Sequence, residues 1–122
     1  MNGDTHESAH RTLLREIAYG RSGDKGDTSN IVIVPYDEDD YEWLVQHLTT
    51  DIIHERFRSI VKGGIVRYEM PGIRALNFVL EHALQGGVSK SLDLDAHGKS
   101  WANLALRIEL VTDDPVPSRA RH

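Results

Sequence analysis

Gly20-Arg21-Ser22-Gly23-Asp24-Lys25-Gly26-Asp27-Thr28-Ser29-Asn30, followed at once by Ile31-Val32-Ile33-Val34, is the stretch on which the fold turns. The run 31–34 is apolar on both faces, as in a central strand, and Pro35 ends it because proline has no N–H to give a ladder. On the other side Leu13, Arg15, Ile17 and Tyr19 alternate with Leu14, Glu16 and Ala18, the pattern of an amphipathic strand. The two strands are expected to pair across a long loop, the polar stretch Gly20 to Ser29.

Working outward, Asp37-Glu38-Asp39-Asp40 stands where a helix would begin, with Tyr41, Leu44, Val45 and Leu48 at helical spacing after it. The acidic cluster reads as a cap, with metal binding the lesser alternative. A second helix is predicted from Thr50, carrying Ile53, Phe57, Ile60 and Val61 on one side and stopped by Gly63-Gly64. Ile65 to Met70 alternates as a third strand up to Pro71-Gly72, and Ile73 to Leu84 reads as an amphipathic helix closed by Gly86-Gly87. Ser91 to Asp95 suits a short strand before a turn at His97-Gly98. In the last strand Leu104, Leu106, Ile108 and Leu110 oppose Ala105, Arg107, Glu109 and Val111. The order is close to ββαβαβ, so the expected class is α+β: a ferredoxin-like sandwich, a mostly antiparallel sheet with helices packed on one face.

At 122 residues, 39% hydrophobic and 27% charged, the chain suits one soluble domain with one core. Residues 12–111 form the predicted domain, between mobile polar tails at 1–11 and 112–122. A net charge of −5 argues against nucleic acid, and no apolar run is long enough to span a membrane. Without cysteine there is no disulfide, thiolate nucleophile or zinc-thiolate site. The first twenty residues lack the apolar core of a signal peptide, so a cytoplasmic address is expected.

The glycine-rich segment is the candidate site. Its glycines let a ligand approach backbone N–H groups, and Arg21 and Lys25 supply charge for a phosphate or carboxylate, with Ser22, Gly23, Asp24, Gly26 and Asn30 as further binding positions. Asp24, Lys25 and Asp27 are the candidates for proton transfer. The segment is neither a P-loop nor a dinucleotide fingerprint, so ATP and NAD are not expected, nor is any other cofactor. The competing reading is an internally bridged loop whose aspartates cap turns.

His6-Glu7-Ser8-Ala9-His10 matches the H-E-x-x-H metalloprotease string, but it lies in a polar tail with no apolar helix face and no third ligand. Asp93-Leu94-Asp95-Ala96-His97-Gly98 begins like a calcium loop, yet its twelfth position is Leu104, where a bidentate glutamate is needed. No metal site is expected, and Lys99 is a possible anion contact. On the predicted helix Asn77 sits at the margin of the apolar arc, hydrogen-bonding backbone or, as the lesser reading, a ligand. Phe78 points away from that arc and is read as an interface residue. One sheet face, read as carrying Arg67, Glu69, Arg107 and Glu109 around an apolar middle, is left open to water, another subunit or a larger domain.

Arg21-Ser22-Gly23-Asp24-Lys25-Gly26-Asp27 with Asn30-Ile31, then Arg67-Tyr68-Glu69, Asn77-Phe78, Ala83-Leu84, Gly86-Gly87, Ser91-Leu92, Asp95 and Gly98-Lys99 carry a resemblance. In that order they resemble the AtuA-like ferredoxin-fold domain family, the small domain that ends acyclic terpene utilisation proteins and also occurs as a separate chain. The resemblance implies a ferredoxin-like fold and a place in degradation of acyclic terpene or branched acyl-CoA compounds. It implies no iron–sulfur cluster, since the name describes topology, and assigns no catalytic residues. Three functions follow: an accessory domain docking on a large AtuA-like protein; a small enzyme or binder holding an acyl-CoA or carboxylate; and a structural homo-oligomer.

Overall fold

Ile31-Val32-Ile33-Val34 lies in a central strand as predicted, but the segment before it does not loop out. The computed structural model describes residues 9–25, 28–58, 61, 63–81 and 100–120. Strand β2, Ala18–Lys25, runs along the glycine-rich motif and pairs antiparallel with β3, Thr28–Pro35, from Ala18 opposite Pro35 to Lys25 opposite Thr28. The stretch expected as a long loop is therefore one arm of a hairpin. Its glycines and polar residues carry little strand preference, but β-preference is decided largely by the neighbouring strand, and here that neighbour is rich in β-branched residues.

Two further strands, β4 (Ile65–Met70) and β5 (Ala75–Leu80), complete an antiparallel sheet of order β2-β3-β5-β4. A separate two-stranded sheet joins β1, His10–Leu13, to β6, Glu109–Thr112. Four helices accompany them among the described residues: α1 Tyr41–His47, α2 Thr50–Phe57, α3 Ser100–Leu106 and α4 Pro117–Ala120. The fold is α+β and ferredoxin-like.

Three predicted elements change identity. The helix read over Ile73 to Leu84 is strand β5 in its described part. Positions four apart lie on one side of both a helix and a strand, so Leu76 and Leu80 fit either; Phe78 between them is also fully buried, as in a strand and unlike a helix covered on one face. The strand read over 104–110 is instead the end of α3 followed by β6. The strand read over Leu13 to Tyr19 is broken by a 3₁₀ turn at Leu14–Glu16, where the Leu14 N–H donates to Ile108 O at 2.8 Å. That turn sends both Leu14 and Ile17 into the core.

The chain ends also depart from the tails expected. His10 and Arg11 sit in β1, and Val116 is buried. Ser118 donates its N–H and hydroxyl to the two carboxylate oxygens of Asp40, at 2.8 and 2.6 Å, while Trp43 Nε1 donates to Asp114 O. The acidic cluster caps as predicted, Asp37 Oδ1 accepting from Asp39 N at the 3₁₀ turn Glu38–Asp40, but Asp40 is turned inward to hold the C-terminal segment. Ile60, Leu84, Gly86-Gly87, the strand at 91–95, the turn at His97-Gly98, Lys99 and most of the His6–His10 string lie outside the described residues.

The core fills the space between the helices and one face of the larger sheet. Ile31, Ile33, Leu76, Phe78 and Leu80 meet Leu44 of α1, Ile53 and Phe57 of α2, and Trp101, Ala102 and Ala105 of α3, with the Phe57 and Trp101 rings 5.5 Å apart. Each large side chain buried this way contributes about 1.5–3 kcal/mol. Gly20 lets α3 approach: a Cβ there would lie 3.2 Å from Ile33 Cδ1 and 3.4 Å from Ala102 Cβ.

Candidate functional site

Because β2 is a strand, successive residues of the motif belong to opposite sides of the sheet, and the register says which. Gly20 and Ser22 stand opposite Ile33 and Ile31, on the covered face. Ser22 Oγ accepts from the Ala102 N–H at 3.3 Å and helps seat the start of α3. Arg21 and Gly23 stand opposite Val32 and Asn30, on the other face.

No helix among the described residues covers that second face, called the open face below. Rows cross all four strands on it: Arg21, Val32, Asn77 and Tyr68 in one, Gly23, Asn30, Val79 and Val66 in the next. Tyr19, Tyr68 and Val66 are exposed, and Tyr36 follows β3 with its ring 5.5 Å from that of Tyr19. Asn30 Nδ2 donates to Asn77 Oδ1 at 3.0 Å, so the polar amide expected to bond backbone instead bonds a second amide across the strands. A Cβ on Gly23 would come within 3.1 Å of Asn30 Oδ1, so glycine there leaves room for this pair. Arg21 is exposed and makes no ion pair among the described residues.

The open face is not the one read from Arg67 and Glu69. Arg67 points to the helix side, where its guanidinium donates to Val45 O and Leu48 O at 2.8 and 2.9 Å and pairs with Glu69 at 3.0 Å. It thereby satisfies carbonyls at the end of α1 that the helix itself cannot. The alternation of Val66, Tyr68 and Met70 against Ile65, Arg67 and Glu69 was legible in the sequence; which set faced out was not. Phe78, expected at an interface, is 0% exposed and belongs to the core. Arg107 and Glu109 lie in the turn after α3 and in the smaller sheet.

Of the motif, Arg21, Asn30 and Asn77 share the open face, Gly23 making room among them, and Ser22 lies across the sheet from them. Asp24 and Lys25 end β2 opposite Ser29 and Thr28, so the two positions fall on opposite faces. Gly26 and Asp27 lie outside the described residues. At the outer edge of β2, a cleft of about 370 Å³ is lined by Gly20, Arg21, Ser22, Ala102 and Asn103. Sequence reasoning missed Asn103, because α3 was read as strand, and Tyr19, Tyr36 and Tyr68, because tyrosine suits a buried and an open face alike.

Behind the sheet Tyr41 is buried, and desolvation, with Glu69 and Glu42 near it, pushes its phenol above the ordinary value. Arg67 and the Met70 backbone pull the other way, the latter short of hydrogen-bonding geometry. No group of three or more metal-ligating side chains occurs among the described residues, and no helix among them is long and apolar enough to cross a membrane.

No curated protein and no solved structure matches the chain. The family model of the AtuA ferredoxin-like domain matches residues 12–111, nearly the whole of the fold just described, and the chain belongs to that family.

Proposed function

We propose that this chain is an accessory or assembly domain in the breakdown of acyclic terpene or branched acyl-CoA compounds, and that it docks on a large AtuA-like protein through its open sheet face. The observation that carries this reading is the composition of that face. Tyr19, Tyr36, Tyr68 and Arg21 are of the residue types enriched where proteins meet, and they lie together with Val66 on a surface that no described helix covers. Family membership supports the choice of partner.

Co-expression with the large AtuA-like protein of the same genome, followed by size-exclusion chromatography with light scattering, tests it. A mixed complex is expected, lost in the Val66→Asp/Tyr68→Asp variant while its thermal melt stays within a few degrees of wild type. Absence of any mixed complex sinks the reading. A second reading is favoured by the β2 edge cleft, whose lining by Gly20, Arg21, Ser22, Ala102 and Asn103 suits a small carboxylate or the acyl end of an acyl-CoA. Titration calorimetry with an acyl-CoA should then give binding that Arg21→Ala removes.

A further inference from the structure

The four-stranded sheet ends at β4 on an edge that no described strand covers. Gly64, just before β4, accepts the Glu81 N–H at 3.0 Å, so these two residues form a hydrogen-bonded pair. Bonded pairs alternate along an antiparallel ladder. The N–H and C=O groups of Val66, Tyr68 and Met70 are therefore directed to β5, and those of Ile65, Arg67 and Glu69 away from it. The Tyr36 N–H, donated to Ile17 O at 2.9 Å, sets the same alternation from the far side of the sheet. No described residue hydrogen-bonds the outward backbone groups of Ile65, Arg67 and Glu69. Between its ends β4 has neither the lysine nor the proline that commonly blunts an edge.

We infer that β4 pairs antiparallel with β4 of a second copy about a twofold axis at Tyr68, each Arg67 standing opposite Glu69 of the other copy. The strand is complementary to itself in this register. Arg67 and Glu69 each exchange two backbone bonds with their counterparts, about four in all. On the helix side the unlike charges are about 5.5 Å apart at their Cα atoms and the like charges roughly 9 Å, so attraction prevails. On the open side Tyr68 meets Tyr68 and Val66 meets Met70, with no charge on β4 among them. Moving the axis by one residue sets Arg67 against Arg67, or Glu69 against Glu69, which like charges oppose. Pro71 falls opposite Ile65 and, lacking an N–H, ends the ladder. A second copy suits this edge better than a foreign apolar strand, because Arg67 and Glu69 would lie against that strand without opposite charges across from them.

The contact is small, six residues a side, so the dimer is weak, with a dissociation constant in the micromolar range or above. Its axis runs perpendicular to the sheet, which joins the two sheets edge to edge and brings their open faces to one side. The inference goes beyond docking on a large protein and leaves the docking face uncovered. The two are tested on different samples, so either can fail alone.

Sedimentation equilibrium on the chain alone, from about 1 µM to about 1 mM, should show wild type passing from monomer to dimer. Glu69→Pro removes an outward N–H and a charge from each half of the contact and should weaken the dimer at least tenfold, with the melting curve unchanged. Since the chain has no cysteine, single cysteines then report the register under mild oxidation. Tyr68→Cys places two thiols at a non-bonded pair with Cα atoms about 4.5 Å apart, within disulfide reach. It should form a linked dimer at least tenfold faster than Val66→Cys, whose two copies are roughly 14 Å apart, and the Val66→Cys/Met70→Cys variant should link as Tyr68→Cys does. A chain monomeric throughout, a dimer indifferent to Glu69→Pro, or equal linking rates for Tyr68→Cys and Val66→Cys would each overturn the proposal. If Glu69→Pro does not fold, the linking rates decide.

Discussion

The two faces of the four-stranded sheet are made of alternate residues from the same strands, yet residue type does not tell them apart. On β4 the arginine, Arg67, faces the helices and the tyrosine, Tyr68, faces out; on β5 Phe78 is buried between Asn77 and Val79, which look the other way. What separates the faces is partnership. Arg67 tolerates its position because two α1 carbonyls and Glu69 receive its N–H groups, whereas Tyr68 has no helix above it among the described residues. The covered face holds the fold, and no described helix packs on the other.

The comparison breaks most readily at Phe78. Its replacement by alanine opens a cavity beneath α1 to α3 and should cost about 3–5 kcal/mol in urea unfolding. A cost below about 1 kcal/mol would mean that the faces are assigned the wrong way round. Gly20→Val, on the same covered face, forces methyl groups toward Ile33 and Ala102 and should cost about 1–3 kcal/mol.

A smaller, pH-dependent effect belongs to Tyr41. Its folded-state pKa is raised, so the neutral phenol stabilises the fold at every pH below its unfolded value of about 10 and that contribution drains away as pH rises further. Unfolding free energy measured across the alkaline range should fall less steeply in Tyr41→Phe than in wild type. The least effect on stability is expected at Tyr68, where a change to serine on the open face should stay within about 0.5 kcal/mol while weakening the docking proposed for that face. A large loss of stability there would show that the open face is part of the fold's own support.

How far the sequence could be read follows from this division. Ile31 to Val34, Ile65 to Met70 and the helices starting at Tyr41 and Thr50 were legible because their periodicity is local and unambiguous. Ile73 to Leu84 was not, since Leu76 and Leu80 satisfy both periods and only pairing of Phe78 with Ile31 and Arg67 selects the strand. The site was half legible. Arg21, Asn30 and Asn77 were singled out by type, but their meeting on one face depends on register between strands distant in the chain, and the exclusion of Ser22 from it depends on the motif being a strand at all.

The sequence by itself determined the α+β class, the family, the central strand and the identity of the unusual motif, because each is carried by neighbouring residues or by an ordered set of them. Only the tertiary structure decided that the motif is a hairpin arm and that Phe78 is core. It alone decided that the residues around Asp114 to Ser118 are clasped by Trp43 and Asp40, and which side of the sheet is open. The reason is that a strand offers two equivalent faces, and which one is buried is settled by what packs on it from elsewhere in the chain.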